Sequence, residues 1–344
     1  MLTAVAVPAS LALTNSKTAQ AATSVVSSTG GIPVNANHRA TSRSLADRRR
    51  TADDRCRRRI AQATCLVSPG PSVFTNAGYR RNCRPGSARF TGELLRLYEL
   101  YPPVMKREMC RLRRIFIEDK FWASGYALTS RPGIGIHRRF FDDATPLADW
   151  LTWKERRVVA VRDLDAQLRG GEVIALPTVD VLPSPRELDP LTAADYIVAH
   201  ELAHRIALYR LPVRSGAFAL RNWRGNPRRA SPRALPKDWI APCFYRCGRE
   251  QSAGLPLSEL PIAYERLSRV PFISLYATRN PQEDMAESIT AGMLRARDIG
   301  MRVRLGPRIA LDLETVWASP RFTGKRRAVE RLFREAEADA QGDG

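Results

Sequence analysis

Histidine is scarce in this chain. There are four, at positions 38, 137, 200 and 204, so any imidazole chemistry must be concentrated at very few places. Long apolar runs are also lacking: beyond the first residues no stretch has the length needed to span a bilayer, which argues against a transmembrane anchor. Acidic residues are outnumbered, with 35 Asp+Glu against 55 Lys+Arg and a formal net charge of +20. That excess suits an anionic surface. Yet zinc-finger spacing, an aromatic-basic RNA-binding strand and a helix-turn-helix pattern are all missing, so a specific nucleic-acid partner is not expected. Redox spacing is absent too, because Cys243 and Cys247 are separated by three residues rather than two. No internal repeat is visible.

What is present is an ordinary apolar content of 44% in a chain of 344 residues, enough for one large core. Residues 1–22 are small and apolar, with Ala19-Gln20-Ala21 as a small-x-small cleavage site. They read as a secretory signal peptide, although Pro8 interrupts the run and no Lys or Arg precedes it. Export to a secreted or periplasmic location would permit the six cysteines to form disulfides. Residues 23–89 are rich in Ser, Thr and Arg and read as a flexible segment or pro-region. A folded domain is expected over 90–340, with an irregular Pro-, Gly- and Arg-rich insert at 211–262.

Within that domain, apolar periodicity predicts a helix before Pro102-Pro103 and a resumption over 105–117. Short strand-like runs follow at 114–118, 125–128 and 134–136, and a short helix or turn at 146–155. Residues 171–182 suit a strand at a sheet edge, where an extended peptide could add as a further strand. Thr192 opens a strong helix, with Asp195 three residues on as its capping partner. Asn280-Pro281 opens another, running to about Arg297, and a last helix is expected over 325–338. The fold class is therefore α+β: a small twisted sheet packed on the Thr192 helix, with a mainly helical C-terminal half.

Two of the four histidines fall in one run, His200-Glu201-Leu202-Ala203-His204. Four residues apart on a helix, both imidazoles face the same way and can bind one metal ion, while Glu201 lies beside them to act on its water. A catalytic zinc needs a third protein ligand. No histidine follows His204, His38 lies in the Ser/Thr/Arg-rich segment and His137 in a basic run, so a downstream carboxylate is favoured. Glu283 is the best candidate, one helical turn from Glu287. The same glutamate also fits a capping box with Asn280, and the two roles are compatible. Glu287 would then accept a hydrogen bond from the outer nitrogen of a ligand histidine. An oxyanion donor is also required, and Tyr276, on the approach to the same helix, is either that donor or a packed loop tyrosine.

Together, His200-Glu201-Leu202-Ala203-His204 and the run Ser274-Leu275-Tyr276-Ala277-Thr278-Arg279-Asn280-Pro281-Gln282-Glu283-Asp284-Met285-Ala286-Glu287 resemble the anthrax lethal factor-like gluzincins, a group of zinc metallopeptidases. The runs Trp150-Leu151-Thr152-Trp153-Lys154-Glu155 and Cys243-Phe244-Tyr245-Arg246-Cys247 are similar to secreted bacterial members. The resemblance covers roughly residues 115–335 and implies a zincin-like fold. It implies one zinc ion on His200, His204 and Glu283, with Glu201 as base and Tyr276 assisting. The implied activity is endopeptidase hydrolysis of a peptide or protein substrate through a zinc-bound water activated by Glu201. The gap between His204 and Glu283 exceeds that of the toxin, which affects the expected shape of the substrate groove. The alternative expectation is an exported basic binding protein for anionic cell-wall or lipid components, with a structural or degenerate metal site.

Overall fold

The computed structural model describes residues 36–67, 83–119, 124–128, 132–159, 175–185, 189–210, 216–219, 222–225, 231–236, 239 and 254–342. The signal peptide expected at 1–22, Cys243 and Cys247, and much of the insert expected at 211–262 lie outside these residues. Residues 45–344 form one compact unit; of residues 1–44 only the opening turns of the first helix, 36–44, are described.

That helix, α1 (Ala36–Ala63), falls where the sequence suggests a flexible segment. Among its described side chains, those of residues 50–63, the inward stripe is thin, made of Cys56, Ile60 and Ala63, all buried. A disulfide from Cys56 to Cys110 reinforces it, and a second from Cys65 to Cys83 ties strand β1 (Thr64–Val67) to β2 (Cys83–Pro85). Few apolar residues plus a covalent staple suffice to order a segment whose composition alone looks unstructured.

Helix α2 (Ala88–Leu100) buries Phe90, Leu94, Leu97 and Tyr98 along one face and is capped by Ser87. After Pro102, α3 (Pro103–Arg111) starts with a proline at its first position. It ends at Arg111, short of the 105–117 span that periodicity suggests, because Arg114 already enters β3 (Arg114–Glu118). Ile115, Phe116 and Ile117 of β3 are all buried, the uninterrupted apolar run of a central strand covered on both faces. Strands β4 (Gly125–Ala127) and β5 (Gly133–His137) complete a five-stranded sheet in the order β2-β1-β3-β5-β4. Strands β1, β3 and β5 run parallel, and β2 and β4 close the two edges antiparallel.

A one-turn helix α4 (Arg139–Asp142) leads to α5 (Leu147–Arg156) and then β6 (Pro177–Leu182). The long helix α6 (Ala193–Arg210) packs on β4 and β5 and is buried almost all round, as expected of a helix at the centre of a domain. The N-terminus of α6 is anchored by Asp195, which is fully buried. Its Oδ2 accepts from the Thr192 backbone N–H and hydroxyl, both at 2.9 Å, and from Arg96 at 2.9 Å, while Arg297 reaches Oδ1 at 3.2 Å.

A two-residue ribbon, β7 (Trp223–Arg224) with β8 (Ser231–Pro232), precedes α7 (Leu260–Ser268). Then come α8 (Pro281–Ala296), β9 (Gly300–Leu305), β10 (Arg308–Asp312), α9 (Leu313–Ala318) and α10 (Thr323–Gly342). Strand β6 is an edge strand, as its sequence suggests, but of a second sheet ordered β10-β9-β6. It packs against α5, and the edge strand that meets α6 is instead β4. The architecture is α+β, and among the described residues no helix is long and apolar enough to cross a membrane.

Replacing Cys56 and Cys110 together by alanine should cost about 2–4 kcal/mol, because the bridge holds a helix with a thin apolar stripe. Urea unfolding of the variant beside the unmodified protein measures this; equal midpoints and slopes would mean that α1 is held by packing alone.

Candidate metal centre

Helix α6 places His200 and His204 one turn apart on the face turned toward α8. The ring centroids are 4.7 Å apart and nearly perpendicular. Helices α6 and α8 pack directly against each other, and the small residues Ala199, Ala203 and Ala207 on α6 and Ala286 and Thr290 on α8 are all buried. Helix α8 begins where the sequence places it. The Asn280 side chain accepts from the backbone N–H groups of Gln282 (2.9 Å) and Glu283 (3.0 Å), and Pro281 takes the first helical position.

That start aims the Glu283 carboxylate at the histidines. Its Oε2 lies 3.2 Å from Nε2 of His200 and 3.2 Å from Nε2 of His204. Among the described residues these three side chains form the one group of His, Cys, Asp or Glu whose ligand atoms converge, all within 4.8 Å of one another. Around a tetrahedral ion with bonds of ~2.0–2.1 Å, neighbouring ligand atoms sit roughly 3.3–3.4 Å apart. The separations from Glu283 to the two imidazoles match that spacing, and two imidazoles with one carboxylate are a donor set that zinc accepts. His137 ends β5 outside the group, and the side chain of His38 lies outside the described residues.

Behind His200 stands Glu287, 2% exposed. Its Oε1 is 3.0 Å from His200 Nδ1, although the ring N–H points off the line between them. The same oxygen accepts from Lys154 Nζ (3.0 Å) and the Tyr196 hydroxyl (2.8 Å), and Oε2 accepts from the Ser274 hydroxyl (2.7 Å). Tyr276 lies in a single 3-10 turn just before α8, buried, with its ring 5.9 Å from that of His200.

Glu201 is buried beside the histidines and faces β4. Gly125 of β4 is what makes room: a Cβ there would lie 2.7 Å from Glu201 Oε1 and 2.9 Å from Glu201 Cγ. Burial pushes the Glu201 carboxyl up to about 6, against the pull of His200 and His204. Burial opposes ionisation of Glu283 as well, but the two histidines outweigh it and hold that group well below the usual carboxylate range. For His200 burial disfavours the cation, while Glu283 and Glu287 together push it up to about 10.

The sequence reading missed Lys154, Tyr196, Ser274 and Gly125. Two of them left a signal. Tyr196 precedes His200 by one helical turn and so shares its face, and the rings stack at 6.2 Å with 15° between planes. Lys154 follows Trp150 by one turn and shares the helix face of Leu147, Trp150 and Leu151, which puts an ammonium on a buried face. Gly125 left none, because its partner is brought by tertiary packing.

Gly125→Ala should destabilise by about 1–3 kcal/mol, since the new methyl collides with Glu201 and with Ile197 at 2.9 Å. Thermal unfolding measures the loss; an unchanged midpoint would show that β4 can move away from α6 at no cost. Comparison with protein-family models, curated proteins and solved structures finds no match for the chain.

Proposed function

We propose that the protein is a zinc-dependent endopeptidase of the gluzincin type, with a zincin-like fold. The observation that carries this reading is the meeting of His200 Nε2, His204 Nε2 and a Glu283 oxygen around one point. The acidic surroundings support it: Glu201 and Glu287 are buried and Glu283 is mostly covered beside the two imidazoles, a setting that favours a cation. Zinc held by His200, His204 and Glu283 supplies a Lewis acid and lowers the pKa of water toward neutrality.

The chain's own residues do the rest. Glu201 takes a proton from the attacking water as its oxygen adds to the carbonyl carbon. It then delivers that proton to the amine nitrogen as the C–N bond breaks. Glu287, 3.0 Å from Nδ1 of His200, is the acceptor that would take that ring N–H and leave Nε2 to ligate. Tyr276 is the donor assigned to the oxyanion. A substrate in extended form adds alongside edge strand β4, which brings its backbone next to Glu201. The two disulfides fit an oxidising compartment such as the exterior of the cell or the periplasm.

The net charge of +20 favours a second reading, a basic binding protein for anionic wall or lipid components whose metal site is structural. Glu201→Gln separates the two, because binding would survive it and hydrolysis would not.

Elemental analysis of protein purified without added metal should find one zinc per chain. A His200→Ala/His204→Ala control should have none; no zinc in the unmodified protein even after reconstitution overturns the reading. On a peptide library, Glu201→Gln should keep zinc and lose about 100- to 10,000-fold in kcat. Glu283→Ala should lose zinc and hydrolysis together. Tyr276→Phe should keep zinc with kcat lowered about 100- to 1,000-fold; loss of metal in that variant would remove the tyrosine from its role.

A further inference from the structure

Lys154 is 3% exposed, and ammonium groups are almost never buried without a reason, since desolvation costs several kcal/mol. It sits on α5, whereas the histidines sit on α6 and Glu283 on α8. Its Nζ donates to Glu287 Oε1 at 3.0 Å and lies 4.9 Å from the ring centroid of Tyr196 and 4.8 Å from that of Tyr276. A second carboxylate, Glu155, is adjacent in the chain, but the hydroxyl of Tyr264 donates to it. Among the described residues Glu287 is therefore the anion in hydrogen-bonding contact with Lys154.

One oxygen of Glu287 thus receives Lys154 and Tyr196 while standing 3.0 Å from His200 Nδ1. Ser274 holds the other oxygen. A carboxylate held by three donors, Lys154, Tyr196 and Ser274, has little freedom to rotate. The ring it faces is thereby held with Nδ1 toward Glu287 and Nε2 toward Glu283 and His204.

We propose that Lys154 is a positioning residue for the metal centre. Through Glu287 it fixes the orientation and tautomer of His200, so that α5 sets the geometry of a site whose ligands all lie on α6 and α8. The proposal rests on the metallopeptidase reading for its consequence, tighter zinc binding, but not for the His200–Glu287 contact itself.

The test combines two readouts. Zinc affinity is measured by competition with a chromophoric chelator for the unmodified protein, Lys154→Met, Glu287→Gln and the double variant. Exchange of the His200 Nδ1 proton with solvent is measured by NMR in the zinc-free proteins. Lys154→Met should weaken zinc binding about 10- to 100-fold, as loss of a partner behind a ligand does. In the Glu287→Gln background the same change should add little, because both act on one contact. Lys154→Arg should recover most of the loss, and the Nδ1 proton should exchange faster in Lys154→Met than in the unmodified protein. Should the methionine variant not fold, Lys154→Gln carries the same expectations.

Unchanged zinc affinity and exchange in the Lys154 variants would overturn the proposal, and so would fully additive effects in the double variant. An unmodified protein that binds no zinc overturns the metallopeptidase reading instead, and the exchange readout still decides the role of Lys154.

Discussion

The centre of this molecule is organised by the cost of burying charge. Glu155, Glu201 and Glu287 are all buried within a few helical turns of one another, with Glu283 mostly covered beside them. No single element carries the groups that offset them. Lys154 comes from α5, His200 and His204 from α6, and Tyr264 from α7. A buried carboxylate without a partner would cost several kcal/mol, so these helices are constrained to meet at one height. The site is a consequence of that constraint, and the proposed divalent ion would complete it.

The same economy recurs next to the segments that carry His200 and Glu283. Little more than one turn before His200, Asp195 gathers Thr192, Arg96 and Arg297 and so fixes where α6 starts. Directly after Glu283, Asp284 is paired with the buried Lys325 of α10 at 2.6 Å, and that ammonium also donates to the Pro271 carbonyl. Burial raises the Asp284 carboxyl to about 6 in spite of Lys325, a sign of how dry this clamp is. Both helices are therefore pinned beside the residues they present, which is what a preorganised site requires.

Much of this was legible in the residues. The helix carrying His200 and His204 announces itself through Thr192, Asp195 and an apolar stretch too continuous for a surface helix. The helix carrying Glu283 does so through Asn280-Pro281, and the structure has that cap as the sequence suggests. The segment before residue 89 was not legible, since the described side chains of α1 bury only a sparse apolar stripe and the segment is tied by two disulfides whose pairing no spacing reveals. The strand at 125–127 was legible as a strand-like run, but its place beside Glu201 was not. Residues 171–182 read as an edge strand and 177–182 form one, but sheet membership depends on non-local pairing with β9. It is Gly125, an unremarkable glycine in sequence, that lets β4 approach.

Taken alone, the sequence determined the local matters: which stretches are helical, where the two important helices begin, and that two imidazoles share a face with a glutamate between them. Such properties follow from spacing, capping and helical period, which act within a few residues. Tertiary structure alone decided that Glu283 points at those imidazoles rather than closing its own cap, and that Lys154, Tyr196 and Ser274 converge on Glu287. It also decided that β4 and not β6 borders Glu201. The physical reason is one of range. Buried charges are satisfied by partners distant in the chain, and no local pattern records which of several available partners the packed core will bring.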